Sequence, residues 1–276
     1  MNNLAKRTLT CVIGVPAVFA LIFCLPQYNF IGLSLFIIVL AAAGSAEMSR
    51  MVFGRYTMAA FLSAAMCAVH YVQLVCTWKA DVFSYFFLLA ILIVLGVEVG
   101  RGEKDDFHSS ISHVAGSLLL LIYPGYLLSF IIGMLALEKT SPASVVLFLL
   151  LVFSNDIFAY VFGMLFGRGH GNVVKVSPKK SLAGFIGGTL SCIGICYAYW
   201  AVMASSLPVV PVWAKGLLAL VISTAANIGD LAESVFKRSA GVKDSGNVIP
   251  GRGGILDSID SIIVAAPFFY TFWNLI

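Results

Sequence analysis

Long runs of apolar residues follow one another along almost the entire chain, and they constrain its fold more than any other feature. A membrane-spanning helix needs about 20 mostly apolar residues. The chain is 60% hydrophobic and only 11% charged, whereas soluble domains are roughly 25% charged. We therefore predict an all-α polytopic membrane protein with about nine transmembrane helices. The predicted spans are 8–25, 28–46, 57–77, 82–99, 114–136, 143–166, 183–204, 213–235 and 254–276.

Positive charges are concentrated in alternate loops between these spans. With the spans as predicted, 14 of the 17 Lys and Arg residues fall on one side of the membrane. Cytoplasmic loops of membrane proteins carry an excess of such residues. We therefore expect a multi-pass protein of the bacterial inner (cytoplasmic) membrane with this side facing the cytoplasm. The cations form no single stripe, so we expect no nucleic-acid partner.

One stretch near the C-terminus, residues 229–261, breaks the apolar pattern. Charged residues at the ends of membrane helices are costly to bury and usually have a function. The alternative is that these are ordinary solvated charges at a helix end. The nine charged residues are Asp230, Glu233, Lys237, Arg238, Lys243, Asp244, Arg252, Asp257 and Asp260.

The spacing of three aspartates in this stretch predicts a metal site. Asp230 shares a helix face with Ser234 and Lys237, because residues three or four apart are neighbours on a helix. Asp257 and Asp260 share a face of the following helix for the same reason. A hairpin between the two helices would bring Asp230, Asp257 and Asp260 together. Carboxylate oxygens suit Mg²⁺, which we expect as the cofactor, with a second cation as an open addition.

A glycine-rich turn opens directly into the last helix. Gly251, Gly253 and Gly254 lie here, next to Pro250. Free backbone N–H groups at a helix N-terminus favour anions. The turn therefore predicts a phosphate-binding segment, to which Arg252 adds a positive charge.

A second polar region begins inside the sixth predicted span. Asn155 and Asp156 lie deep in this apolar segment, where they must face a polar partner or cavity. A structural hydrogen bond to another helix is the alternative. The loop that follows carries Ser177, Lys179 and Lys180 between glycines and could hold phosphates. Its alternative is a topology-determining loop that binds lipid head groups.

Both regions resemble motifs of the phosphatidate cytidylyltransferase (CDP-diacylglycerol synthase) family. Arg252, Ser258 and Ala183 stand where that family usually has His, Arg and Glu. The residues that match in the first half of the motif region are Asp156, Ala159, Tyr160, Gly163, Gly167, Ser177, Pro178, Lys180, Ser181 and Gly184. Those that match nearer the C-terminus are Ser234, Lys237, Arg238, Lys243, Asp244, Pro250, Gly251, Gly253, Gly254, Asp257 and Asp260.

The resemblance implies transfer of CMP from CTP to phosphatidate, a membrane lipid, in phospholipid biosynthesis. It implies a transmembrane scaffold of about five spans over 1–136 and a catalytic region over 137–276, whose C-terminal helices form the active site. A homodimer is one assembly that remains open. The implied catalytic residues are Asp230, Lys237, Arg238, Lys243, Asp244, Asp257 and Asp260. The implied substrate-binding residues are Asn155, Asp156, Ser177, Lys179, Lys180, Ser234, Gly251, Arg252, Gly253 and Gly254.

Two other classes of function remain open from the sequence. One is a different CTP-dependent membrane enzyme, such as a polyprenol kinase, which would transfer the γ-phosphate to an alcohol. The other is a catalytically degenerate lipid-binding homologue, which the departures at Ala183, Arg252 and Ser258 would permit.

Overall fold

The computed structural model describes residues 3–104, 106–167, 174–178, 180–251 and 253–276. These ranges contain ten α-helices and one π-helical segment, and no β-strand beyond an isolated bridge between Ile249 and Gly253. The fold is therefore that of an all-α polytopic membrane protein, as predicted. The helices are α1 (Asn3–Cys24), α2 (Gln27–Phe53), α3 (Met58–Val75), α4 (Val82–Gly102), α5 (Ser110–Leu120), α6 (Leu128–Leu135), α7 (Pro142–Phe166), α8 (Leu182–Val202), α9 (Val212–Ser239) and α10 (Leu256–Leu275).

A helix occupies each of the nine predicted spans, although not all of them meet the length and composition of a membrane span. Seven helical segments among the described residues do so, with α5, the π-helical segment and α6 counted together as Ser110–Leu135. Neither α1 nor α10 is among the seven. In α10 the polar residues include Asp257 and Asp260 in its first two turns, which lower its apolar character.

The π-helical segment Leu121–Leu127 interrupts the fifth predicted span. It contains Pro124, which has no N–H to donate and whose ring clashes with the preceding turn of a regular α-helix. Widening the turn locally accommodates the proline without ending the helical path.

The chain divides into two compact units. The first unit contains Met1–Ala136 and Asp244–Ser258, and the second contains Leu137–Lys243 and Ile259–Ile276. The assignment of a scaffold role to 1–136 and a catalytic role to 137–276 stays a prediction.

Small polar side chains connect the helices of the first unit. The hydroxyl of Ser63 donates to the carbonyl oxygen of Leu120 at 2.7 Å and lies 2.8 Å from the hydroxyl of Ser45. His70 Nδ1 lies 3.0 Å from the carbonyl oxygen of Ser129, and its ring stacks on Phe83. His70 therefore makes an interhelical hydrogen bond, which is typical of isolated polar residues in membrane helices.

Glycines let α8 pack closely against α7 in the second unit. A methyl group added at Gly188 would lie 2.9 Å from the carbonyl oxygen of Asn155, and one at Gly187 would overlap the side chain of Phe162. Small residues of this kind allow membrane helices to approach closely. At the start of α8, Ser181 Oγ accepts from Gly184 N–H at 3.1 Å and caps the helix. This packing places Ser181 beside Gly163 of α7.

Candidate functional site

A cavity of about 480 Å³ lies among α7, α8 and α9 in the second unit. Its lining combines charged or polar groups with aromatic rings, as expected of a site that takes a polar ligand at membrane level. The lining side chains include Asp156 and Tyr160 from α7, Lys180 and Phe185 from the start of α8, and Asn227 and Asp230 from α9.

An ion pair between Lys180 and Asp230 crosses one side of this cavity. Lys180 Nζ lies 2.6 Å from Asp230 Oδ2, and both side chains remain partly exposed. The ammonium group also lies 5.7 Å from the centre of the Phe185 ring. A lysine and an aspartate that are 50 positions apart in the sequence are thus brought into direct contact, as part of one charged surface.

A buried polar network lies on the α7 side of the cavity. Asn155 is fully buried. Its Oδ1 accepts from Ser223 Oγ at 2.6 Å, and its Nδ2 donates to Asn227 Oδ1 at 3.2 Å. Ser223 Oγ lies 2.8 Å from Thr189 Oγ1. This is the interhelical hydrogen bonding that the sequence left open for Asn155, whereas its neighbour Asp156 lines the cavity.

Asp260 brings a third carboxylate to the same group. A methyl group added at Gly229 would lie 3.1 Å from the Cα atom of Ser261, so only glycine lets the backbone of α10 approach α9 this closely. Asp260 is 9% exposed. Asp230 lies within electrostatic range of both Asp156 and Asp260. The fold therefore gathers three carboxyl groups, of which Asp230 is paired with Lys180.

Lys237 has a partner that the sequence analysis did not assign to it. Its ammonium group forms an ion pair with Glu233, one helical turn earlier, whose side chain is 0% exposed. Arg238 is exposed, and its Nη1 donates to the carbonyl oxygen of Val242 at 3.4 Å. Phosphate binding by Lys237 and Arg238 stays a prediction.

The remaining predicted residues of this region differ in exposure. Ser234 and Ser177 are half-buried. Lys243 and Asp244 are exposed near the start of the loop between α9 and α10.

The glycine-rich turn belongs to the first unit. Ile249 and Gly253 exchange two backbone hydrogen bonds of 2.8 and 3.1 Å, which close the turn. Gly251 and Gly253 have φ values of 81° and 111°, a region that residues with a Cβ atom rarely adopt. Glycine is therefore required at these two positions by the backbone itself.

Asp257 folds back onto this turn. Its Oδ2 accepts from the backbone N–H groups of Ser245 and Gly254 at 2.9 and 2.7 Å, and lies 3.0 Å from the hydroxyl of Ser245. The sequence predicted that the N–H group of Gly254 binds phosphate. In the structure this N–H group donates to the carboxylate of Asp257.

Glu47 is a site residue that the sequence analysis missed. It lies in α2 and is 8% exposed. Its two carboxylate oxygens each accept a 2.9 Å hydrogen bond, from the N–H groups of Ile255 and Leu256 respectively. A signal was present in the sequence, because Glu47 is the only Asp or Glu among the first 80 residues and directly follows a predicted span.

Comparison of the chain with known proteins shows the family to which it belongs. A model of the cytidylyltransferase family matches residues 5–276. The chain belongs to the cytidylyltransferase family. The matched range covers nearly the whole chain and includes the segments that hold Asp156, Lys180 and Asp257.

Three relatives illustrate the similarity. A phosphatidate cytidylyltransferase of Thermotoga maritima is 34% identical over 190 residues, which cover 68% of this chain and 69% of the relative. A phosphatidate cytidylyltransferase of Rickettsia bellii is 35% identical over 194 residues, covering 67% and 78%. The uncharacterised protein YnbB of Escherichia coli is 36% identical over 203 residues, covering 70% and 63%.

Two of the predicted substrate-binding residues, Lys179 and Arg252, lie outside the described residues. Across the ranges that the structure describes, no three His, Cys, Asp or Glu side chains are arranged to hold a metal ion. The assignment of Mg²⁺ to Asp230, Asp257 and Asp260 therefore stays a prediction.

Proposed function

We propose that this multi-pass membrane protein is a phosphatidate cytidylyltransferase, a nucleotidyltransferase that makes CDP-diacylglycerol and pyrophosphate from CTP and phosphatidate. The observation that carries the proposal is the cavity of the second unit. Lys180, Asp156 and Asp230 face a space between membrane helices, where a water-soluble nucleotide and a lipid phosphate can meet. Family membership and the names of two of the three relatives support the same reaction.

CMP transfer to phosphatidate requires positioning of the substrates and neutralisation of their charge more than it requires a strong base. The second pKa of a phosphate monoester is about 6, so phosphatidate is largely dianionic near neutral pH. One of its phosphate oxygens forms a bond to the α-phosphorus of CTP, while the bond from that phosphorus to the oxygen of the β-phosphate breaks. Pyrophosphate leaves with the electron pair. Fixed charges that stabilise such a displacement lower its barrier without a proton transfer.

Residues of the chain have distinct parts in this proposal. The ammonium group of Lys180 stands at the cavity and can exchange Asp230 for a phosphate oxygen, because both groups are partly exposed. The buried network around Asn155 fixes the α7 backbone and thereby holds Asp156 at the cavity wall. The rings of Tyr160 and Phe185 supply apolar surface beside the charges.

The proposal includes Mg²⁺ because of the chemistry of the nearby carboxyl groups. Asp156, Asp230 and Asp260 place three carboxyl groups beside one lysine in the second unit, and hard carboxylate oxygens are the ligands that Mg²⁺ prefers. The residues that the sequence proposes to hold the ion are Asp230, Asp257 and Asp260. When bound, it would neutralise charge on the phosphate oxygens.

Membrane vesicles of known orientation test both the reaction and its side. In inverted vesicles that contain phosphatidate, label from [α-³²P]CTP should enter a chloroform-soluble product, and label from [γ-³²P]CTP should not. Sealed right-side-out vesicles should incorporate neither label, because CTP cannot cross the bilayer and we propose that the site faces the cytoplasm. Incorporation of the γ-label would indicate a kinase. No incorporation in any vesicle would support a degenerate lipid-binding homologue.

A further inference from the structure

We propose that Glu47 is a positioning residue for the reaction: its carboxylate fixes the turn 245–255 and the start of α10, and thereby the place of Asp257. This inference rests on the proposed function, because Asp257 and the glycines of the turn are among the motif residues that imply it. All the contacts that carry it lie within the first unit.

The carboxylate of Glu47 binds the first turn of α10 with both oxygens. Oε1 accepts from Ile255 N–H and Oε2 accepts from Leu256 N–H, each at 2.9 Å. The first N–H groups of a helix have no partner within the helix, and a negative charge at this end is favourable. A side chain almost 210 positions earlier in the sequence thus caps the start of α10.

Ser245 links Glu47 to Asp257. Its hydroxyl lies 3.0 Å from Glu47 Oε2 and 3.0 Å from Asp257 Oδ2. Its backbone N–H donates to the same oxygen of Asp257 at 2.9 Å. A displacement of the Glu47 carboxylate is therefore transmitted to Asp257 through one serine.

Two glycines show that the turn is shaped around this carboxylate. A methyl group added at Gly246 would lie 2.5 Å from Glu47 Oε1. One added at Gly254 would overlap both Ser245 Oγ and Glu47 Oε2. Gly254, a motif residue, is therefore explained by the close approach of Glu47.

Glu47→Gln tests the inference with almost no change in side-chain volume. The amide keeps one acceptor, so one of the two backbone N–H groups would face an NH₂ group instead of an oxygen. We expect kcat for CMP transfer to fall by about 10- to 100-fold, the scale of a misplacement of about 1 Å, with KM for CTP within about 2-fold. Hydrogen–deuterium exchange in a peptide covering 253–258 should become faster. Glu98→Gln, which removes the negative charge of the Arg101 ion pair in the same unit, should change neither.

The outcomes separate this inference from the proposed function. A wild-type protein that transfers no CMP contradicts the function. An active wild type whose Glu47→Gln variant keeps its kcat per folded molecule contradicts the positioning role, as does unchanged exchange at 253–258. If Glu47→Gln does not fold, Ser245→Ala decides, because it keeps the cap and removes only the link. That variant should lose at least several-fold in kcat, and an unchanged kcat overturns the inference.

Discussion

Asp230→Asn is expected to lower kcat for CMP transfer by at least about 100-fold, the order of magnitude for loss of one key electrostatic group at a reacting centre. The substitution removes a charge that lies at the cavity, in contact with Lys180 and within range of Asp156 and Asp260. It changes the side-chain volume very little, so membrane insertion and folding should be preserved. Steady-state kinetics of the purified variant, with its folded fraction determined in parallel, measure the effect.

Glu138→Gln is the matched control for this prediction. Glu138 is an exposed carboxylate in the loop before α7 of the same unit, away from the residues that line the cavity. The turnover of this variant should equal that of the wild type.

Lys180→Gln should lose about 10- to 150-fold in kcat/KM, the value of one charge-assisted contact. Wild-type turnover in Asp230→Asn would remove the cavity from the proposed chemistry.

Lys237→Gln is expected to cost about 3–5 kcal/mol of stability, because it removes one partner of the ion pair with the fully buried carboxylate of Glu233. For a chain of this size the loss corresponds to a Tm lower by roughly 6–20 °C. Thermal unfolding of the detergent-solubilised protein measures it. Arg238→Gln is the matched control. Arg238 is the exposed neighbour of Lys237 at the same helix end, so its substitution should change Tm by very little.

A double variant identifies the cause of that loss. Lys237→Gln combined with Glu233→Gln removes both charges of the pair and should recover most of the lost Tm, because neither charge is then buried without the other. A Tm for Lys237→Gln equal to that of Arg238→Gln would show that the ion pair contributes nothing measurable. If the double variant is stable but its kcat is still reduced, Lys237 acts on substrate as the sequence proposes.

The helices could be predicted from the sequence because each depends on a local apolar run. The predicted span 28–46 nevertheless ends seven residues before α2 does at Phe53, since Glu47 and Arg50 end the apolar run without ending the helix. The interruption at Leu121–Leu127 depends on one proline, Pro124, inside a segment that is otherwise apolar. Hydropathy averaged over a window cannot resolve such a local change.

The interaction partners of the charged side chains were harder to predict from the sequence than the helices that carry them. The family resemblance implied that Lys180 and Asp230 belong to one active site, and the structure places them 2.6 Å apart. For Lys237 the sequence considered Asp230, seven residues earlier, and overlooked Glu233 at the closer spacing of four, which favours ion pairs on helices. The contacts of Glu47 are out of reach of any local pattern, because they join α2 to a turn almost 200 positions later.

The stoichiometry of the purified reaction tests the central claim most directly. Protein in detergent with CTP, phosphatidate and Mg²⁺ should release one pyrophosphate for each CDP-diacylglycerol formed, with the lipid product identified by mass spectrometry. Omission of phosphatidate should abolish pyrophosphate release. Pyrophosphate released without a cytidine-containing lipid, or no turnover from folded wild-type protein, would contradict the assignment of this chain as a phosphatidate cytidylyltransferase.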